Sequence, residues 1–245
     1  MRKLKIMEHI SLDGVIQSSG EDDFTYGNWT APYHTPAGRD AVFAAHGGSF
    51  DLLLGRRTYD EWSGLWPKAP SSLMSDALNA ATKYVVTHRP ESLEWGPFEA
   101  VGPGIVEGVR HIKSQDGPDL VLWGSSTLTS TLLEHGLADE VVLIVYPVLL
   151  GKGKRIFAEG TPPRAFEPAS TKALSSGVIY QCLQVRWAFE EPTIRSNSMR
   201  FMMMVIKSFE LLVVLGMGNL IMVNLVMANQ AMAQDAAAPY PNMAP

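Results

Sequence analysis

Residues 4–12 alternate apolar and polar positions and are rich in β-branched side chains, which predicts a first strand. Asp13-Gly14 is a turn signal, and Val15-Ile16 resumes the strand. Residues 18–33 lose the alternation. They are polar, contain glycine and carry Phe24, Tyr26, Trp29 and Tyr33, which predicts a long loop over a pocket mouth. Residues 36–46 follow helical periodicity with Ala41, Val42 and Ala45 on one face, and Gly47-Gly48 closes the helix. The apolar run 50–54 predicts a short buried strand that enters a helix directly after Gly55. Further along, a Ser-started helix is predicted over 71–81, strands over 83–87 and 98–101, and a helix over 104–113. A fully apolar strand at 119–123 opens a helix at 127–135. A long strand follows at 140–148, then a glycine-rich turn at 149–154 and a terminal hairpin of 166–174 with 178–187. Strands alternate with helices through Trp123, and a run of strands ends the pattern. That order predicts an α/β fold with a mostly parallel central sheet flanked by helices and an antiparallel C-terminal edge hairpin.

In such sheets ligands sit beyond the carboxyl ends of the strands. Three strand ends carry suitable chemistry: Gly55-Arg56-Arg57-Thr58, Thr87-His88-Arg89 and Gly124-Ser125-Ser126. A strand that ends in glycine and opens a helix brings unpaired backbone N–H groups to one point, where the helix dipole favours an anion. Arg56 and Arg57 add positive charge. A phosphate-bearing ligand is one reading; a tight turn with two solvated arginines is the other. The spacing is neither a Walker loop nor GxGxxG.

Composition narrows the field. The chain has 245 residues, 46% of them apolar, enough for a sizeable core. A net charge of −5 argues against nucleic acid as a partner. The single cysteine, Cys182, excludes an internal disulfide framework and fits a reducing, cytoplasmic compartment. The first 14 residues are too charged for a signal peptide. Six histidines are scattered without zinc-ligand spacing, so no metal is expected.

Residues 1 to about 187 resemble the dihydrofolate reductase superfamily, and most of all its bacterial riboflavin-biosynthesis reductase branch. The motifs that carry the resemblance are ISLDGVI (10–16), GEDDFTYGNW (20–29), LLLGRRTYDEW (52–62), VVTHRP (85–90), LVLWGSSTL (120–128) and LADEVVLIVYPVLLGKGKRIF (137–157). The resemblance implies NADPH as reductant and a small heterocycle, pterin- or pyrimidine-like, as substrate. It implies that Gly55, Arg56, Arg57 and Thr58 hold cofactor phosphates, that Thr87, His88 and Arg89 meet the adenosine 2′-phosphate, and that Gly124, Ser125 and Ser126 approach the pyrophosphate. Ser125-Ser126 departs from the paired glycines common in the family. Leu12, Asp13, Gly14 and Ile16 would line the nicotinamide side, and Trp29 would close over the substrate ring.

Hydride transfer also needs a proton near the acceptor. Dihydrofolate reductases place an acid in the first helix. The nearest carboxylate here is Asp40, for which a solvated helix position is the other reading. Asp13 is a second candidate, and a local role in its Asp-Gly turn is the alternative. The expectation is therefore a NADPH-dependent reductase over residues 1–189. The alternative is a NADPH- or ligand-binding module without turnover. Pairing into a homodimer is an expectation of the resemblance.

Residues 190–210 read as a linker, and residues 211–245 as a hydrophobic segment with an Ala/Pro-rich tail. The uncharged run 211–228 leaves three readings open: an anchor to the cytoplasmic face of a membrane, a signal-like stretch fused into the frame, or an apolar helix packed on the domain or at a dimer contact.

Overall fold

The computed structural model describes residues 1–18 and 24–186. Eight strands form one sheet: β1 (Leu4–Ile10), β2 (Phe50–Gly55), β3 (Lys83–Val86), β4 (Phe98–Val101), β5 (Asp119–Trp123), β6 (Glu140–Val145), β7 (Ala165–Ala173) and β8 (Ile179–Arg186). Their order is β4-β3-β2-β5-β1-β6-β8-β7. The first six are parallel to their neighbours, and β8 and β7 add antiparallel at one edge. This is the predicted α/β architecture. The central strands are apolar on both faces because helices cover both.

Helices α1 (Pro36–His46), α2 (Arg56–Leu65) and α3 (Leu73–Ala80) pack over one face, around Leu52, Leu54, Val85 and Val121. Helices α4 (Ile105–Ser114) and α5 (Ser126–Glu134) pack over the other, around Ile6, Leu53, Leu120 and Leu122. The helix ends follow local chemistry. Thr35 caps α1 by accepting from the Gly38 N–H, with Pro36 in the first turn and Gly47 left-handed at the end. Ser72 and Ser75 form a reciprocal cap on α3.

Two predicted strands run shorter. β1 ends at Ile10, and Val15 makes only an isolated bridge to Arg155. The partner of residues 12–16 is the glycine-rich 148–154 turn, met through Leu12 N–H to Val148 O and Ile16 N–H to Lys154 O, both 2.8 Å. β6 stops at Val145 because the Val148 N–H turns back onto Tyr146 O around Pro147. Residues 190–245, with the linker and anchor readings, lie outside the described residues. Among the described residues no helix is long and apolar enough to cross a membrane.

Candidate functional site

β2 and β5 are neighbours, with Leu54 paired to Trp123, and each passes straight into a helix. The two turns press on each other. A Cβ added to Gly124 would lie 2.6 Å from Thr58 Oγ1, and one added to Gly55 would lie 3.3 Å from Ser125. Gly124 and Ser125 are both left-handed, with φ of 71° and 64°. Ser125 therefore takes a left-handed conformation although it is not a glycine. Ser125 Oγ accepts from the Leu128 N–H at 3.2 Å and caps α5. At α2 the cap position is Gly55, which has no side chain to occupy the first-turn N–H groups. The amino ends of α2 and α5 therefore open together into one cavity of about 690 Å³. Two helix amino ends at one cavity favour negative charge there.

One part of that cavity's wall is aromatic and apolar, with Trp62, Trp66, Trp123, Val42 and Leu78, and the rest is polar, including Gln17, Asn28, Glu61 and Lys154. Two histidines stand there as neutral groups. The Trp123 indole N–H donates to His46 Nε2 at 3.1 Å, and His46 Nδ1–H donates to Val42 O at 2.8 Å. Burial pushes His46 down to about 4. His9 stacks on Trp123 with centroids 5.3 Å apart, and its Nδ1 meets the Tyr146 hydroxyl at 2.8 Å. Burial, with the nearby His34 and His46, pushes His9 down to about 4. The wall therefore offers flat stacking surface and neutral hydrogen-bonding edges at pH 7.

Glu8 is a site residue that sequence patterning misses. It lies on β1, is 5% exposed, lines the cavity and leaves Oε1 without a partner. Burial raises its carboxyl to about 8, opposed only by the Gly124 backbone N–H. The available signal is weak, because β1 also carries Lys5 and His9 and an acid among them does not stand out. Alternation assigns such a residue to a solvent face, but β1 lies between β5 and β6 with both faces covered.

Of the residues predicted for the site, Gly55, Arg56, Arg57, Thr58, Gly124, Ser125, Ser126 and Ile16 line the cavity. Arg56 is largely committed to the protein. Its guanidinium donates to Asp60 at 2.8 Å, to Arg89 O at 2.9 Å and to Ser92 Oγ at 2.7 Å. Thr87 is buried and accepts from the Arg89 N–H at 3.0 Å, while His88 and Arg89 are exposed on the adjoining rim. Eight predicted residues stand outside the cavity wall: Thr87, His88 and Arg89, together with Gly14, Leu12, Trp29, Asp40 and Asp13. Leu12 is 65% exposed. Trp29 is buried, with its indole N–H donating to Gln17 O at 2.8 Å. Asp40 is exposed on α1, where no contact turns it inward. Asp13 accepts from Ser11 Oγ at 2.7 Å and from the Leu150 and Gly151 N–H groups at 3.2 and 2.9 Å. These donors, led by Ser11, hold its carboxyl down at about 2. A carboxylate held that firmly ionised is an acceptor and no proton donor at neutral pH.

Comparison with known proteins bears on the family and the fold. Residues 102–180 match the family described as the RibD C-terminal domain. The uncharacterized protein YyaP of Bacillus subtilis (strain 168) is 29% identical over 132 residues, 52% of this chain and 70% of its own length. A putative riboflavin biosynthesis protein from Shewanella sp. PV-4 superposes with a TM-score of 0.57 at 19% identity, over 75% of this chain and 99% of its own. Dihydrofolate reductase from Enterococcus faecalis, solved with NADP(H), superposes with a TM-score of 0.50 at 16% identity, over 75% of this chain and 96% of its own. In sequence over residues 102–180 and in the fold of its sheet, this chain resembles the riboflavin-biosynthesis reductase branch of the dihydrofolate reductase superfamily.

Proposed function

We propose that the protein is a NADPH-dependent reductase of a small heterocycle, pterin- or pyrimidine-like, acting by direct hydride transfer. One observation carries this reading: the amino ends of α2 and α5 open beside an aromatic wall in a single cavity. The residues fit a dinucleotide. Gly124 is left-handed and its Cβ position is filled by Thr58, so glycine lets the two turns pack together and brings the amino ends of α2 and α5 to one cavity. When bound, the cofactor supplies the hydride. The Gly55–Thr58 and Gly124–Ser126 turns would hold its phosphates through backbone N–H groups other than that of Gly124, which Glu8 takes. Thr87, His88 and Arg89 would meet the 2′-phosphate on the rim, a segment fixed by Arg56. Ile16 would face the nicotinamide, and the Trp123–His9 stack would bear the substrate ring. The free thiol of Cys182 fits a reducing, cytoplasmic setting.

The second reading is a binding module that holds the dinucleotide without oxidising it. Its support is that neither Asp13 nor Asp40 reaches the cavity. Loss of NADPH absorbance against a panel of oxidised pterins and aminopyrimidines separates the two. Turnover with any member supports the reductase, and binding of NADPH without oxidation across the panel supports the module. Arg89→Ala is expected to weaken NADPH more than NADH by about 1.5–3 kcal/mol, the range for a charge-assisted contact. Equal weakening of both cofactors contradicts the 2′-phosphate assignment.

A further inference from the structure

We infer that Glu8 binds the dinucleotide as a neutral carboxylic acid, donating a hydrogen bond into the cavity through its unpartnered oxygen. The inference rests on the dinucleotide reading of the same cavity and adds a proton-linked contact to it. Three observations lead there. The side chain is 95% or more removed from solvent, yet it belongs to the cavity wall. One carboxyl oxygen has no partner in the protein, which is costly for a buried polar atom unless a ligand supplies one. The neighbouring Gly124 belongs to the turn assigned to the cofactor phosphates.

A charged carboxylate at this place would oppose a polyanion in a cavity of low dielectric. A protonated one is neutral and becomes a donor. The surroundings favour the protonated form. On β6 the residue paired with Glu8 is Leu143, and on β5 the adjoining chain is Trp123-Gly124. The titratable groups that share the cavity are His9, His34, His46, Arg56, Arg57, Glu61 and Lys154. None contributes to the upward shift of Glu8, which burial alone produces. The carboxyl is therefore a proton store tuned by its position in the sheet, close enough to neutrality to ionise in mildly alkaline solution.

The test is the affinity of the full chain for NADPH between pH 7 and 9.5. The 2′-phosphate of the ligand has lost its last proton before this window opens. The wild type is expected to lose about tenfold in affinity per pH unit once Glu8 ionises, the slope for one linked proton. Glu8→Gln, whose amide donates at every pH, is expected to show no such slope. Calorimetry of the wild type at pH 9 in two buffers of different ionisation enthalpy gives the same answer without a variant, as uptake of close to one proton per NADPH bound. NADPH binding that ignores pH, keeps its slope in Glu8→Gln or takes up no proton overturns this inference and leaves the dinucleotide site standing. Absence of NADPH binding at every pH overturns the dinucleotide reading, and this inference with it.

Discussion

At Gly124 and Ser125 two consecutive left-handed residues carry β5 into α5, and the turn closes against Thr58. Gly124→Ala adds a Cβ both in a disfavoured backbone region and 2.6 Å from the Thr58 hydroxyl. Its expected cost is about 2–4 kcal/mol, measured by urea unfolding. A loss below about 0.5 kcal/mol would show that the turn relaxes freely. Glu8 makes a second prediction at this scale. Its folded-state pKa of about 8 lies above the ordinary carboxyl value, so folding takes up a proton between roughly pH 4.5 and 8. Stability should fall as pH rises through that window, by up to about 1.4 kcal/mol per pH unit. In Glu8→Gln that contribution should vanish. Unfolding midpoints at pH 5, 6.5 and 8 check this; identical slopes in the two proteins would place an ionised carboxylate at Glu8. Residue type alone reveals the glycine and both serines of the β5 turn. It does not reveal Glu8, whose chemistry comes from the strands on either side of it.

Among the elements, α2 and the segment 87–92 behave as one piece because Arg56 spans them. The sequence marks Arg56 as a cation for phosphate, whereas the fold ties its guanidinium to Asp60, Arg89 O and Ser92. Arg56→Ala is expected to lower stability and to speed amide exchange across 87–93. Unchanged exchange there would mean that the segment holds itself. Helix positions were readable because their end signals are local: Thr35-Pro36 and Gly47 for α1, and Ser72 for α3. The extension of strand to Val15-Ile16 and to Val148 fails for the opposite reason. Those residues suit a strand, but their partners belong to an irregular glycine-rich turn. The same distinction explains Asp13. Its Asp-Gly signal predicts a turn correctly, and the turn then consumes the carboxylate that a proton donor would need.

For the domain as a whole, apolar runs such as 52–54 and 120–123 announce strands buried on both faces, and helix–strand alternation announces the parallel sheet. Their lateral order is not local information. β1 sits between β5 and β6, more than 100 residues away along the chain, through pairs such as Ile6 with Leu122 and Val141. That insertion sets Glu8 beside Gly124 and stacks His9 on Trp123. It also makes one cavity from two turns that the sequence shows only as separate signals. The reading proposed above makes this cavity a dinucleotide site. Its most direct test is titration of the full chain with NADPH and with NADH, followed by tryptophan fluorescence, since Trp62, Trp66 and Trp123 line the cavity. Saturable quenching by both, with NADPH at least about tenfold tighter, is the predicted result. No saturable response to either nucleotide would contradict the account and leave the two helix amino ends as turns alone.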